Sequence, residues 1–382
     1  MRIGLVVTGG VDASGCERVI PTLLCLIERL ARGHEVHVFA LHNYREPRTY
    51  ALLGATVHDL GRVDGPPGLR LVRLRSRLAA AVEAWGHFDV LHAYWGMPAG
   101  VVSTHVGRRF GVPVIVTLDS GELVALADIQ YGLQRRWIDR RAIAAAVRAA
   151  ARVTVATDYM ARMPALDGVR VDVVPLGIDT RRFPAPDRAD GPPWRLLRVA
   201  SLNRVKDYPT LLRAFAAILS RVPHVHLDIV GEDTLNGSVQ ALSRTLGVDA
   251  HVSFHGFQPT DALGAFYSRA HVHVVSSRHE AAGVVMLEAA TAGVPTVGTA
   301  VGYAADWSSP EPARVGPARA VAVPVGDPGA LADAVIALLQ DPGRRKRIVA
   351  AARPWALEHD ADWTARTFER LYGAAVLDRR SG

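Results

Sequence analysis

Short runs of β-branched and aliphatic residues alternate along the chain with longer segments of helix-forming residues, the two patterns expected of buried strands and of amphipathic helices. In the first half the strand runs are RIGLVV at 2–7, EVHVFAL at 35–41, DVLHAY at 89–94, VPVIVTL at 112–118, RVTVA at 152–156 and VDVVP at 171–175, with a helix predicted over 16–31. A second series follows: RLLRVASL at 195–202, a helix over 208–220, VHLDIV at 225–230, HVSFHGF at 251–257, VHVVSS at 272–277 and PTVGTA at 295–300. Strands that read as continuous apolar runs, separated by helices, imply parallel sheets covered on their faces. The pattern therefore predicts an α/β protein with two Rossmann-like domains whose strand ends face across a cleft. The polar, Pro-rich segment TRRFPAPDRADGPPW at 180–194 reads as a linker. The expected boundaries are 1–178, 179–359, and a final amphipathic helix within 360–382 that crosses back to the first domain. Its apolar positions are Trp363, Phe368, Leu371 and Tyr372.

One stretch of the second series, HEAAGVVMLEAATAGVP at 279–295, places two carboxylates around an apolar run. The preceding HVHVVSS reads as a buried strand, and helix formers begin at Val284. Gly293 and Pro295 then give the Gly-then-Pro stop of a helix C-terminus. Strand, loop and helix in that order put Glu280 at the carboxyl end of a strand, Gly283 at the helix entry and Glu288 further along the helix. Open α/β sheets bind ligands at that edge. The amides of Gly283, Val284 and Val285 would suit a phosphate, and the acceptor-only carboxylates would suit hydroxyls on either side of it. A nucleotide sugar offers both.

Composition narrows the alternatives. A chain of 382 residues with 49% hydrophobic and 21% charged residues is globular and large enough for two cores. No apolar run reaches the ~18 residues that span a bilayer, and MRIGLVVTGG reads as a first strand rather than a leader peptide. A cytoplasmic protein is expected. Two cysteines, Cys16 and Cys25, make no disulfide framework, and no Cys/His spacing suggests a metal site. His224, His226, His271 and His273 read as strand residues. The net charge is +7, with 21 arginines against 16 carboxylates in residues 1–178. Within that half, RLVRLRSR at 70–77 and RRWIDRR at 135–141 interleave arginine with Leu, Trp or Ile. Such segments are either solvated helix faces or a peripheral contact with an anionic membrane at its inner face. No nucleic-acid motif accompanies them.

Of 44 basic residues only Lys206 and Lys346 are lysine. Lys206 stands in RVASLNRVKDYPTLLRAF, where a strand ends and a helix opened by Asp207 and Pro209 begins. A compact ammonium at that edge, with Arg204 beside it, could neutralise a diphosphate.

Taken together these segments resemble the retaining glycosyltransferases of family 4, the group 1 glycosyltransferases, which have the GT-B fold. The resemblance covers essentially the whole chain and rests on HEAAGVVMLEAATAGVP, SLNRVKDYPTLLRAF, VDVVPLGIDTRRF, and DVLHAYWG followed by VPVIVTLDSGEL. It implies that Lys206 contacts the donor diphosphate, Glu288 the ribose and Glu280 the transferred sugar. The amides of Gly283, Val284 and Val285 would meet phosphate and sugar. Ser201 and Asn203 would border the nucleotide, Phe257 and Gln258 of HGFQ would read the base, and Gly9 and Gly10 would approach the diphosphate.

The chain departs from the family pattern at four places. Ser201 stands where many members have an arginine, with Arg204 as the candidate substitute. Asp119 stands where a histidine is common, in a position that borders sugar and acceptor. Tyr94 replaces a second histidine, and Tyr303 a second glycine.

The activity implied is metal-independent transfer of a sugar from a nucleotide-diphosphate sugar, UDP by family frequency, to a small-molecule, glycan or lipid-linked acceptor, with retention. No separate cofactor is implied. Two alternatives stay open on the residues: an epimerase or hydrolase of the nucleotide sugar, and a degenerate nucleotide-sugar-binding module. A dehydrogenase is disfavoured because TGGVDASG lacks the G-x-G-x-x-G spacing.

Overall fold

The computed structural model describes residues 1–185, 189–308 and 317–381, so part of the segment read as a linker, residues 186–188, lies outside the described residues. The chain forms two compact units, one made of Met1–Leu176 with Ala361–Gly382 and the other of Gly177–Asp360. Each is built on its own sheet.

In the first unit, β1 (Arg2–Val7), β2 (Glu35–Ala40), β3 (Arg48–Leu52), β4 (Ala55–Asp59), β5 (Val90–Tyr94), β6 (Val114–Leu118), β7 (Arg152–Val155) and β8 (Val171–Val173) form one sheet in the order β3-β4-β2-β1-β5-β6-β7-β8. Every pairing is parallel except β3 with β4. In the second unit, β9 (Trp194–Val199), β10 (Val225–Val230), β11 (Val252–Phe254), β12 (Val272–Val275), β13 (Thr296–Thr299) and β14 (Val321–Val323) form a parallel sheet in the order β11-β10-β9-β12-β13-β14. These are the two Rossmann-like sheets that the run pattern predicts. Burial explains the pattern: β5 and β6 are buried at all five positions, as strands covered on both faces must be.

The differences are local. The helix predicted over 16–31 starts only at Pro21, because residues 11–19 close into a loop through a Val11–Val19 bridge and proline is favoured at the first helical position. The β3–β4 hairpin was not anticipated. Its turn is Leu53–Gly54 with φ of 51° and 83°, and a leucine in the left-handed region leaves none of the usual Asn-Gly signal. Helices Pro328–Gln340 and Pro342–Glu358 also went unread, although each opens on an Asp-Pro-Gly whose aspartate, Asp327 or Asp341, caps the helix.

The last helix, Ala361–Ser381, fills the predicted 360–382 segment and packs in the first unit against helix Pro21–Leu30 and strands β5 and β6. Phe368 and Tyr372 are fully buried there, and the Tyr372 hydroxyl lies 2.8 Å from His92 Nδ1. Burial pushes His92 down to about 3, so its ring is neutral and shares hydrogen bonds with Tyr372 and Thr117. Replacing Phe368 by alanine should cost the first unit about 3–5 kcal/mol. A urea titration followed by intrinsic fluorescence checks this; an unmoved midpoint would show that the helix does not help hold the unit together.

Candidate functional site

Strand order places the second-unit site. Strands added on opposite sides of β9 and β12 make the loops after these two strands leave the sheet in opposite directions, opening a crevice at their carboxyl ends. The two loops are joined by hydrogen bonds from Arg278 N to Val205 O (2.7 Å) and from Ser276 Oγ to Lys206 O (2.7 Å). Asn203 caps the turn Arg204–Lys206 by accepting from the Lys206 amide, and Asp207, at φ 48°, caps the helix Tyr208–Arg221. With its backbone fixed twice over, Lys206 sends Nζ to within 2.7 Å of Glu280 Oε1.

Glu280 has a second hydrogen-bond partner. The Ser277 hydroxyl donates to the same oxygen at 2.6 Å. Burial alone would push this carboxyl up, but attraction to Lys206 and Arg198 and the two hydrogen bonds outweigh it and hold Glu280 below the usual carboxylate range. The ion pair is therefore charged at neutral pH.

Gly283 follows at φ 81°, a conformation that a side chain would strain, and the helix Val285–Thr291 begins two residues later. The amides of Gly283, Val284 and Val285 have no hydrogen-bond acceptor among the described residues. Gly293, at φ 68°, closes the helix as expected.

Glu288 behaves differently from Glu280. It is buried, has no cation beside it among the described residues, and lies 2.8 Å from the Tyr267 hydroxyl, which also lies 3.1 Å from Val285 O. Desolvation pushes its carboxyl up to about 7 despite the hydrogen bond from Tyr267. One tyrosine proton cannot serve both acceptors fully, and a protonated Glu288 donating to Tyr267 resolves the conflict.

The other predicted residues are spread around this centre. Ser201 is exposed at the start of the first loop, and Arg204 is exposed with no side-chain partner among the described residues. In the loop after β11, Phe257 is exposed and Gln258 bonds back to His255 O at 2.9 Å. Sequence reasoning missed Arg198, Ser277 and Tyr267. Arg198 and Ser277 sit inside runs that read simply as strand, and Tyr267 lies in a helix that was not identified.

In the first unit the order switches between β1 and β5, and Gly9 and Gly10 lie in the loop beyond β1. Gly10 adopts φ 82°, donates its amide to Asn43 Oδ1 at 3.1 Å, and leaves no space for a Cβ, which would meet Ile20 at 2.7 Å. Beside them opens a cavity of about 640 Å³, whose lining includes Gly9, Gly10, Arg18, Asn43, Trp95, Ser120 and Glu122. Trp95 holds φ 80°, a strained setting for an aromatic residue that is common at functional sites. Buried Glu122 accepts from the amides of Gly96 (3.1 Å) and Ser120 (2.7 Å), and burial raises its carboxyl. Asp119 is half-buried and does not itself line the cavity; Ser120 and Glu122 do.

A second cavity of about 540 Å³ shares His42 and Asn43 with the first and adds Arg45, Arg62, Asp64 and Arg70. Arg62 pairs with Asp64 at 3.0 Å, while Arg45 and Arg70 have no side-chain partner among the described residues. Elsewhere on the unit, the segments 70–77 and 135–141 are largely solvent-facing, with Trp137 60% and Ile138 53% exposed. No helix among the described residues is long and apolar enough to cross a membrane, and no three metal-ligating side chains cluster there.

Comparison with known proteins bears on the family and the fold. The family described as glycosyl transferases group 1 matches residues 179–355, and glycosyltransferase family 4 matches 14–182. The D-inositol 3-phosphate glycosyltransferase of Salinispora tropica is 32% identical over 97% of this chain and 83% of its own. Among solved structures, the sucrose-phosphate synthase of Thermosynechococcus elongatus superposes with a TM-score of 0.81 at 22% identity, covering 98% of each chain. Anabaena HepE in complex with UDP-glucose superposes at 0.71 with 17% identity, covering 98% of this chain and 100% of its own. Two adjoining family matches, one on each sheet, and a relative aligned along nearly the whole length show that the chain belongs to the group 1 glycosyl transferases and is a glycosyltransferase of the GT-B fold.

Proposed function

We propose that the enzyme moves a sugar from a nucleotide-diphosphate sugar, with UDP as the nucleotide, to a hydroxyl of a phosphate-bearing acceptor, with retention of the anomeric configuration. The observation that carries the donor half is the Lys206–Glu280 pair at the second-unit switch point, beside three unengaged amides and the buried Glu288. A diphosphate arriving there competes with Glu280 for Lys206. The ammonium and the amides then neutralise the charge that grows on the leaving group, which is electrostatic stabilisation of the transition state. The positive charge this requires is present as a side chain, so the reading invokes no metal ion. Glu280, released from Lys206, accepts from hydroxyls of the transferred sugar, and Glu288 accepts from the ribose. The departing phosphate oxygen takes the proton of the attacking hydroxyl on the same face, which gives retention without a protein base.

The acceptor half rests on the first unit. Arg45 and Arg70 line a cavity that shares His42 and Asn43 with the one beside Gly9 and Gly10, and two guanidinium groups without a side-chain partner among the described residues suit a phosphate. The names of two similar proteins, a D-inositol 3-phosphate glycosyltransferase and a sucrose-phosphate synthase, fit a phosphorylated acceptor or product. The choice of UDP is supported by the HepE complexes with UDP and UDP-glucose.

Lys206→Ala should lower transfer by roughly 10²–10³-fold while the protein remains folded by circular dichroism, because it removes the principal charge on the leaving group. Near-normal turnover would reject the role. For Glu288 the direction follows from its raised carboxyl: it is protonated below about pH 7 and can accept from two ribose hydroxyls only above it. Calorimetric affinity for UDP-glucose, whose phosphates do not titrate near neutrality, should rise from pH 6 to pH 8 with proton release, and Glu288→Gln should abolish the dependence. A flat profile in the wild type would contradict the assignment. For the acceptor, Arg45→Gln and Arg70→Gln should each raise KM for a phosphorylated polyol about tenfold or more, as loss of a charge-assisted contact does. They should leave KM for the unphosphorylated polyol unchanged, and equal effects on both would remove the phosphate from the proposal.

A further inference from the structure

Arg198 is the largest fully buried side chain among the described residues, with no exposed surface, and it rises from β9 three residues before Ser201. A buried guanidinium is costly unless a counter-ion and hydrogen bonds answer it. Here Nη2 donates to Ser277 Oγ at 2.8 Å and the Tyr208 hydroxyl lies close enough to interact with the guanidinium, while Nε and Nη1 meet no well-formed hydrogen bond among the described residues. The ionisable groups close enough to feel it are Tyr208, Tyr267, His273 and Glu280. Burial pushes Tyr208 up to about 12 and Tyr267 well above the ordinary tyrosine value, so both phenols are neutral. Burial pushes His273 down to about 3, so it is neutral too. Glu280 is the one anion of the set. Arg198 reaches it through Ser277, whose hydroxyl accepts from the guanidinium and donates onward to Glu280 Oε1 at 2.6 Å.

We infer that Arg198 is a positioning residue that, through Ser277, keeps Glu280 ionised and in place when Lys206 leaves it for the donor. The inference deepens the donor reading and rests on it for the departure of Lys206. Glu280 is held by two cations of different kinds. Lys206 is partly exposed, on a loop, and able to turn to a ligand; Arg198 is locked into the sheet. Without the second cation, a carboxylate abandoned in this site would take up a proton and become unable to accept from two sugar hydroxyls.

Arg198→Met is the direct test, because replacing a poorly satisfied buried charge with a side chain of similar length is often neutral or stabilising. Ser277→Ala keeps the arginine and cuts the relay. The first readout needs no ligand: the Glu280 carboxyl titration, followed by carbon-13 NMR, should move up by about one pH unit or more in both variants, equivalent to a tenfold weaker acid. The second readout compares UDP with UDP-glucose. Affinity for UDP should be unchanged, since Glu288 and the base-side loop are untouched, while any gain in affinity from the glucose should fall about tenfold at pH 6 and return as the pH rises.

A Glu280 titration unmoved in both variants overturns the inference whatever the ligands do. Equal weakening of UDP and UDP-glucose with a lowered melting temperature overturns it in favour of a purely structural arginine. If the titration moves but the wild type binds neither ligand, the electrostatic relay stands and it is the donor reading that fails.

Discussion

The ion pair between Lys206 and Glu280 is the contact on which the second unit's site depends. It joins the loop after β9 to the loop after β12, and the two backbone-directed bonds between Arg278 and Val205 and between Ser276 and Lys206 hold the same loops together. Its position is a consequence of topology. The switch point brings the loops after the non-consecutive strands β9 and β12 side by side, and Lys206 and Glu280 are 74 residues apart in the chain. A charged pair at this place stores a cation in a defined position without leaving it unsatisfied. It also keeps the cation exchangeable, because Lys206 is not sealed from solvent.

Around that pair the two glutamates divide the electrostatic work by environment. Glu280 is surrounded by Lys206, Arg198 and the Ser277 hydroxyl, and is an anion. Glu288 is buried with only a tyrosine hydroxyl beside it among the described residues, and desolvation holds its carboxyl up at about 7. Two residues of the same type, eight positions apart, thus offer different chemistry to a ligand. The difference comes from desolvation set against nearby charge.

Much of this was legible in the sequence because the signals were local. Runs such as VIVTL and VHVV declare covered strands, and Gly293 with Pro295 declares the end of a helix whose start was placed within one residue. The rarity of lysine singled out Lys206, and its place at a strand end suggested its neighbourhood. What could not be read is carried by tertiary contacts or by unusual turns. Arg198 looks like one more arginine in an arginine-rich chain until the fold removes it from water. Glu122 is an unremarkable loop carboxylate in sequence, yet two backbone amides fix it in the wall of the first-unit cavity while Asp119 lies off the lining. The hairpin at Leu53–Gly54 depends on a positive φ at leucine that no propensity forecasts.

The rarity of lysine also provides the most direct test of the central claim, that Lys206 exchanges Glu280 for the donor diphosphate. With nitrogen-15 confined to lysine, the side-chain ammonium spectrum contains only Lys206 and Lys346. The account predicts that adding UDP-glucose shifts the Lys206 signal and leaves that of Lys346 in place, and that Glu280→Gln shifts the ligand-free Lys206 signal by itself. A Lys206 signal that does not respond to saturating donor would contradict it.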